Sequence, residues 1–426
     1  MKLELLTLGG GREVGRAAIA VKRDVDEQYL LFDYGVSFDI DDKPLLPLTI
    51  APKKVKAILV THSHLDHVGA APLFYVSSKV PIFMSRFTAI TARLMIEDFL
   101  KLSGYYLPFE YEELNNMMKA VSTFNLGERI DLDNVSVDTI NAGHIPGSTM
   151  YRVEFKDGLR LLYTGDINLI DTRTVKGIEL SGIDADVVIM ESTYGSYDHP
   201  PREKVENMFI ETVKSVIDDG GSVLVPAFSL GRSQEILALL AERIPDANVY
   251  YDGMARDILE LMLLYKEFVN RHDLLEKASR VFTAVKDSGM RKKIVKEKGN
   301  IIVAPAGMLK GGPALYYIKR MQDNPKNAVT LVSYQAPSSP GRKLLTEGVI
   351  EEGGPRVKAK VFWFDFSSHA GASDLFRFVK SLKSVRRVIL IHGSDDSVYS
   401  LGYKIREELG IDFIAPNNGE NIVLDL

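Results

Sequence analysis

Two rhythms of apolar and polar positions divide the chain. From residue 1 to about 195, apolar residues alternate with polar ones over short runs such as Lys2–Leu8, Ala57–Val60 and Val135–Ile140, with Gly, Asp and Asn between them. A period of two predicts β-strands joined by turns, and the helical spacing over Phe87–Leu102 predicts an amphipathic helix among them. From about Ser196 the rhythm lengthens. A helix is predicted over Pro201–Asp218, a strand over Ser222–Pro226 and a helix over Arg232–Arg243, with further strands at Ala247–Tyr251, Asn300–Ala304 and Ala328–Ser333. Apolar strands alternating with helices predict a parallel α/β unit of about 150 residues. After about Leu344 the first rhythm returns. The chain therefore reads as α/β throughout, one domain being split into residues 1–195 and 344–426 and a second, residues 196–343, being inserted in it.

The polar interruptions carry the chemistry. His62, His64, Asp66 and His67 follow the apolar run Ala57–Val60 directly, at the carboxyl end of a strand and on the turn into a helix that begins near His67. His62 and His64 alternate on a short extended segment, so both imidazoles can face one ion, while Asp66 and His67 can face a second. Nitrogen and oxygen donors in so compact a group suit zinc. His144 stands in a Gly-rich loop after Val135–Ile140, and Asp166 ends the apolar run Leu161-Leu162-Tyr163, where a carboxylate can bridge two ions. Of the eight histidines, His62, His64, His67, His144, His369 and His392 occupy such settings.

Composition narrows the choices. Cysteine is absent, so any metal is held by His and carboxylate rather than thiolate. A net charge of −5 makes the chain no basic coat for nucleic acid, so a polyanion would need a local patch. The cluster Arg291–Lys298 is such a run, but its spacing predicts a solvated helix face. Gly9–Gly15 matches neither a dinucleotide fingerprint nor a P-loop and predicts a tight turn near the site. With no signal-peptide core and no apolar run of about 18–20 residues, the chain is expected to be cytoplasmic and to make no contact with membrane. The short stretch after His392 leads to the expectation of no added RNA-binding or dimerisation domain.

The ordered set His-x-His-x-Asp-His, Gly-His and Gly-Asp resembles the metallo-β-lactamase superfamily, with Asp33 matching its earlier strand-end Asp. Glu191 in Glu191-Ser192-Thr193-Tyr194-Gly195, His369 in Phe366-Ser367-Ser368-His369 and His392 in Ile391-His392-Gly393 resemble the further motifs of the β-CASP nucleases. Gly231–Glu235, Gly307–Pro313 and Ser333–Ala336 bring the pattern nearer to the cleavage subunit of the mRNA 3′-end processing complex and its archaeal relatives. Gly371-Ala372 departs from it, since several relatives carry an acidic residue two positions after the His.

The resemblance implies an αββα sandwich with an inserted Rossmann-like domain forming a lid over the metal face. It also implies two zinc ions per chain. His62, His64, His144 and Asp166 would hold one, and Asp66, His67, Asp166 and His392 the other, with Asp33 behind a ligand imidazole. A metal pair lowers the pKa of water and neutralises phosphate charge, the two needs of phosphodiester hydrolysis. Asp66 would orient the nucleophile, and His369, held by Glu191, would protonate the leaving oxygen. Ser148, Ser229, Arg232 and Arg342 are the candidate RNA contacts. The implied activity is cleavage of single-stranded RNA to 5′-phosphate and 3′-hydroxyl ends, endonucleolytic, 5′→3′ exonucleolytic or both, by a homodimer or within an RNA-processing complex. The competing readings are a DNA nuclease of the same fold, opposed by His392 where such relatives carry Val, and a silent RNA-binding subunit, opposed by the filled ligand positions.

Overall fold

The computed structural model describes residues 2–103 and 107–425. It divides into two compact units, one of residues 1–170, 177–198 and 368–426 and one of residues 171–176 and 199–367. No helix among the described residues is long and apolar enough to cross a membrane.

Two seven-stranded sheets build the first unit. One runs Asn421–Asp425, Lys2–Gly9, Ala18–Arg23, Tyr29–Phe32, Val55–Leu59, Ile82–Ser85, Val121–Phe124; the other runs Asp412–Ile414, Arg387–Ile391, Val187–Glu191, Arg160–Tyr163, Thr149–Phe155, Val135–Asn141, Arg129–Leu132. Alternation along the strands decides what packs where. Leu30, Phe32, Ala57 and Leu59 of the first sheet meet Tyr151, Tyr163, Ile189 and Ile391 of the second in one buried core. Their neighbours Leu31 and Ile58 turn the other way, against Ala92, Ile96 and Phe99 of helix Arg86–Ser103. On the far side Leu162, Val188 and Leu390 pack on Phe378 and Val379 of helix Ala372–Ser381 and on Leu401 and Ile405 of helix Asp395–Leu409. The result is the expected αββα sandwich.

The second unit is a six-stranded sheet in the order Thr283–Ala284, Asn248–Tyr251, Asn300–Ala304, Val223–Pro226, Ala328–Leu331, Lys360–Trp363. Every pairing in it is parallel. Val223–Pro226 and Asn300–Ala304 are buried throughout, as strands covered on both faces must be. Helix Arg232–Arg243 begins and ends where its sequence predicts.

Two stretches fall elsewhere than the sequence divides them. The chain rejoins the first unit at Ser368 rather than near Leu344, because Lys360–Trp363 adds to the parallel sheet beside Ala328–Leu331. Residues 171–176 belong to the second unit, where Arg173 pairs with Glu206 at 2.7 Å and Thr174 N–H donates to Glu235 at 3.0 Å.

Candidate metal centre

Strand Val55–Leu59 ends three residues before His62, and the single helical turn Leu65–Val68 follows, with His64 as its cap. The turn begins earlier than expected, so Asp66 lies in its first turn rather than ahead of it. The backbone leaves no room for a side chain behind this turn. A Cβ on Gly35 would overlap the Asp66 carbonyl. Asp33 and His392 both hold left-handed backbone, φ 56° and 50°, a strain that packing must impose on residues with a Cβ.

Four donors converge first. His64 Nδ1 lies 3.1 Å from His62 Nε2 and 3.2 Å from His144 Nε2, and each of those two nitrogens lies 3.6 Å from Asp166 Oδ2. A tetrahedral zinc with ligands at about 2.0–2.1 Å keeps its donors roughly 3.3–3.4 Å apart. The observed spacings bracket that value, so His62, His64, His144 and Asp166 fit one such ion. A second set adjoins it. His67 Nε2 lies 3.3 Å from Asp166 Oδ2, His392 Nε2 lies 3.5 Å from Asp66 Oδ2, and His392 Nδ1 lies 3.4 Å from Asp166 Oδ1. His67 Nε2 and Asp166 Oδ1 are buried without a hydrogen-bond partner, the state expected of donors arranged for a cation. Asp166, Glu191 and His392 form a third grouping at metal-binding spacing, so Glu191 stands within reach of an ion as well as of His369.

Hydrogen bonds behind the donors fix which nitrogen faces inward. His144 Nδ1–H donates to the Ser368 carbonyl at 2.9 Å, turning the Nε2 lone pair toward His64. His67 Nδ1–H donates to Asp33 Oδ2 at 2.8 Å. Asp33 is itself pinned by Thr61 N–H at 2.7 Å and by the Tyr163 hydroxyl at 3.1 Å. Asp33 therefore stands behind the His67 imidazole. Thr61 and Tyr163 were not singled out in the sequence, although both flank metal motifs there. Gly15 N–H donates to His392 Nε2 at 3.0 Å, which brings the glycine turn to the site.

Electrostatics separate the imidazoles. Burial, reinforced by neighbouring imidazoles, holds His62 and His144 well below the ordinary histidine range, and His64 falls to about 4 for the same main reason. Neutral rings are the ligand form. Burial works against charge on His67 too, but Asp166 and Asp33 outweigh it and push that ring well above the usual range. A divalent cation at the second set would compete with that proton. Asp166 is held well below the carboxylate range because the His67, His392 and His369 charges outweigh its burial.

His369 stands at the edge of this cluster with 21% of its side chain exposed. Its Nδ1–H donates to Glu191 Oε2 at 3.0 Å, and its Nε2 points toward Asp166 Oδ2 at 3.9 Å. Glu191 also accepts from Ile167 N–H at 2.6 Å. Burial disfavours the imidazolium, but Glu191 and then Asp166 outweigh it and raise His369 to about 9. A charged imidazole carries a proton on Nε2 that it can give to a leaving oxygen.

The candidate RNA contacts do not share one setting. Ser148 is fully buried, and its hydroxyl accepts from His144 N–H at 3.2 Å and Ile145 N–H at 3.3 Å, so it holds the His144 loop and presents no surface to RNA. Arg232 is buried in the first turn of its helix. Ser229 is half-buried, with its carbonyl accepting from Gln234 Nε2 at 3.0 Å. Arg342 is exposed at the start of helix Pro340–Glu347. In the basic cluster, Arg291 is spent on the buried Asp252, at 2.7 and 2.8 Å.

Family models match in chain order: the metallo-beta-lactamase superfamily over residues 16–178, the Beta-Casp domain over 233–344 and the Zn-dependent metallo-hydrolase RNA specificity domain over 354–416. RNase aCSPSF2 of Saccharolobus solfataricus is 49% identical over 426 residues, covering 100% of this chain and 86% of its own. The chain belongs to the β-CASP nuclease family. Within that family, Probable RNase MJ4 of Methanocaldococcus jannaschii is 35% identical, covering 99% of this chain and 100% of its own. Transcription termination factor FttA of Pyrococcus abyssi is 31% identical, covering 99% of this chain and 71% of its own. A solved Enterococcus faecalis V583 protein of unknown function shares the fold, with a TM-score of 0.66 at 15% identity over 100% of both chains. Like other β-CASP members, the chain is a metal-dependent hydrolase, and its donor sets are the residues fit to hold the metal.

Proposed function

We propose that this chain is a zinc-dependent ribonuclease that cuts single-stranded RNA to 5′-phosphate and 3′-hydroxyl ends, in RNA 3′-end processing or turnover in the cytoplasm. The observation that carries this reading is two donor sets meeting on one carboxylate, Asp166, with the His369–Glu191 pair beside them. His62, His64, His144 and Asp166 would hold one zinc, and Asp66, His67, His392 and Asp166 a second. When bound, such a pair supplies a nucleophile at neutral pH and offsets phosphate charge.

The remaining work falls to side chains. Asp66, with a third of its side chain exposed, accepts a hydrogen bond from the attacking water and so orients it. His369 delivers the Nε2 proton to the departing 3′ oxygen, while Glu191 receives its Nδ1–H and steadies the imidazolium. Asp33 keeps His67 in one tautomer. The names of two relatives, RNase aCSPSF2 and Probable RNase MJ4, support RNA as the substrate, and the relative named transcription termination factor FttA supports action at transcript 3′ ends.

The test incubates the purified chain with circular RNA and with linear RNAs bearing 5′-mono- or triphosphate, and maps the product ends. Cutting of the circle shows endonuclease action, and dependence on the end group shows exonuclease action. Products ending in 2′,3′-cyclic phosphate would overturn the mechanism, because the 2′-hydroxyl would then be the nucleophile.

A further inference from the structure

We infer that the second unit carries a base-stacking platform for single-stranded RNA, built on Trp363 and Tyr334, with Arg342 as its phosphate contact. The inference rests on RNA as the substrate and adds a recognition site that lies wholly in the parallel α/β unit. Both rings are exposed, Trp363 by 47% and Tyr334 by 54%. Trp363 ends the edge strand Lys360–Trp363, and Tyr334 follows its neighbour Ala328–Leu331, so both stand at the carboxyl ends of adjacent parallel strands. Open α/β sheets bind ligands at that rim.

One carbonyl fixes the arrangement. Ser333 O accepts from Trp363 Nε1 at 3.3 Å and from Gln335 Nε2 at 2.9 Å. The indole thus satisfies its polar edge against the loop that carries Tyr334, and Gln335 braces that loop further on the Gly307 carbonyl at 2.9 Å. Gln335 also packs against Gly341, so closely that a Cβ there would overlap its amide oxygen. Arg342 comes next, at the first turn of helix Pro340–Glu347, exposed and with no acidic partner among the described residues. Neither aromatic ring meets another ring or a cation among the described residues. A single exposed aromatic residue is ordinary surface. Two at the same sheet rim, one hydrogen-bonded to the loop that carries the other, with the Arg342 guanidinium on the helix that follows that loop, suit bases that are already unstacked and a backbone that is anionic. Every base has a π-face, so such a platform grips RNA without reading its sequence.

Trp363 is the only tryptophan in the chain, so its emission reports on this platform alone. The full chain as isolated is titrated on ice with a short oligouridylate, shown by gel to stay uncut, and in parallel with an oligomer of the same length made of abasic ribose phosphates. The expected result is quenching by the oligouridylate and little by the abasic strand. Tyr334→Ala should weaken RNA binding about five- to a hundredfold, the range for losing one stacked base, while Tyr334→Phe and Trp363→Phe keep most of it. Melting temperatures of these surface variants should match the parent.

Unquenched emission, or unchanged affinity in Tyr334→Ala, in a chain that still binds and cuts RNA overturns the platform and leaves the ribonuclease reading intact. A chain that neither binds nor cuts RNA overturns both. Emission that follows protein concentration rather than RNA overturns the platform as well, and marks the edge strand as a contact between copies.

Discussion

His369 and the imidazoles of the two donor sets lie in one cluster, yet their geometry differs, and substitution is expected to separate the duties proposed for them. His369 spends Nδ1 on Glu191, and its Nε2 lies 3.9 Å from Asp166, against 3.6 Å for the inward nitrogens of His62 and His144. His369→Ala is therefore expected to keep its zinc and its RNA affinity while turnover falls by about two to four decades. An RNA with sulfur at the 3′-bridging position needs little protonation on departure and should recover much of that rate. Zinc loss in the variant, or equal slowness on the sulfur substrate, would make His369 a ligand instead. Tyr163 offers the opposite case, a residue that touches no substrate. Its hydroxyl donates to Asp33, which holds His67. Tyr163→Phe should keep the fold and weaken zinc retention by roughly tenfold, at the low end for losing a supporting hydrogen bond behind a metal ligand. Competition with a chromogenic chelator measures it. An unchanged affinity would show that Thr61 alone suffices to pin Asp33.

Elements differ in how openly their sequence declares them. Asn300–Ala304 was legible because five consecutive buried positions leave no solvent face to encode. Arg232–Arg243 was legible from the glycine before it and the basic residue that closes it. Lys360–Trp363 was not, because an edge strand is half-wetted, and its exposed ends resemble the alternating strands of the sandwich. Residues 171–176 carry no local signal at all; only the distant Glu206 and Glu235 decide where they pack. The close run His62, His64, Asp66 and His67 could be read as donors from its spacing at a strand end, whereas grouping His144, Asp166 and His392 with it drew on the family resemblance. Ser148 reads from the sequence as an RNA contact but is buried under the His144 loop, because a serine in a Gly-rich loop reads the same whether its hydroxyl points in or out. Loops also store constraints that a sequence shows only as glycine. Gly165, φ 54°, precedes Asp166, and a Cβ there would come within 2.7 Å of Thr61. Gly165→Ala should cost more than about 1 kcal/mol and loosen zinc at the same time, since Thr61 and Asp166 would both shift. Denaturant melts with zinc analysis at each step would detect a loss of one without the other.

At the scale of the whole molecule, metal content and stability are linked. Elemental analysis of chain purified without chelator should find close to two zincs. Asp166→Ala should lose both, because one carboxylate serves both sets, whereas His392→Ala should weaken mainly one. Removing the metal should lower the melting temperature in proportion to the binding free energy lost, and re-adding zinc should restore it.

The order in which the chain delivers its ligands has a further consequence. His62 and Asp166 come early, but His392 follows strand Arg387–Ile391, long after the intervening second unit. A ribosome making this protein holds a message within reach of the emerging chain. On the proposed reading, until residue 392 has left the tunnel that chain lacks one donor of the centre that would cut it. Synthesis thus carries its own delay, set by gene order rather than by an inhibitor. Nascent chains arrested near residue 380 should leave added RNA intact, while chains arrested by a linker placed after residue 426 should cut it while still attached to the ribosome.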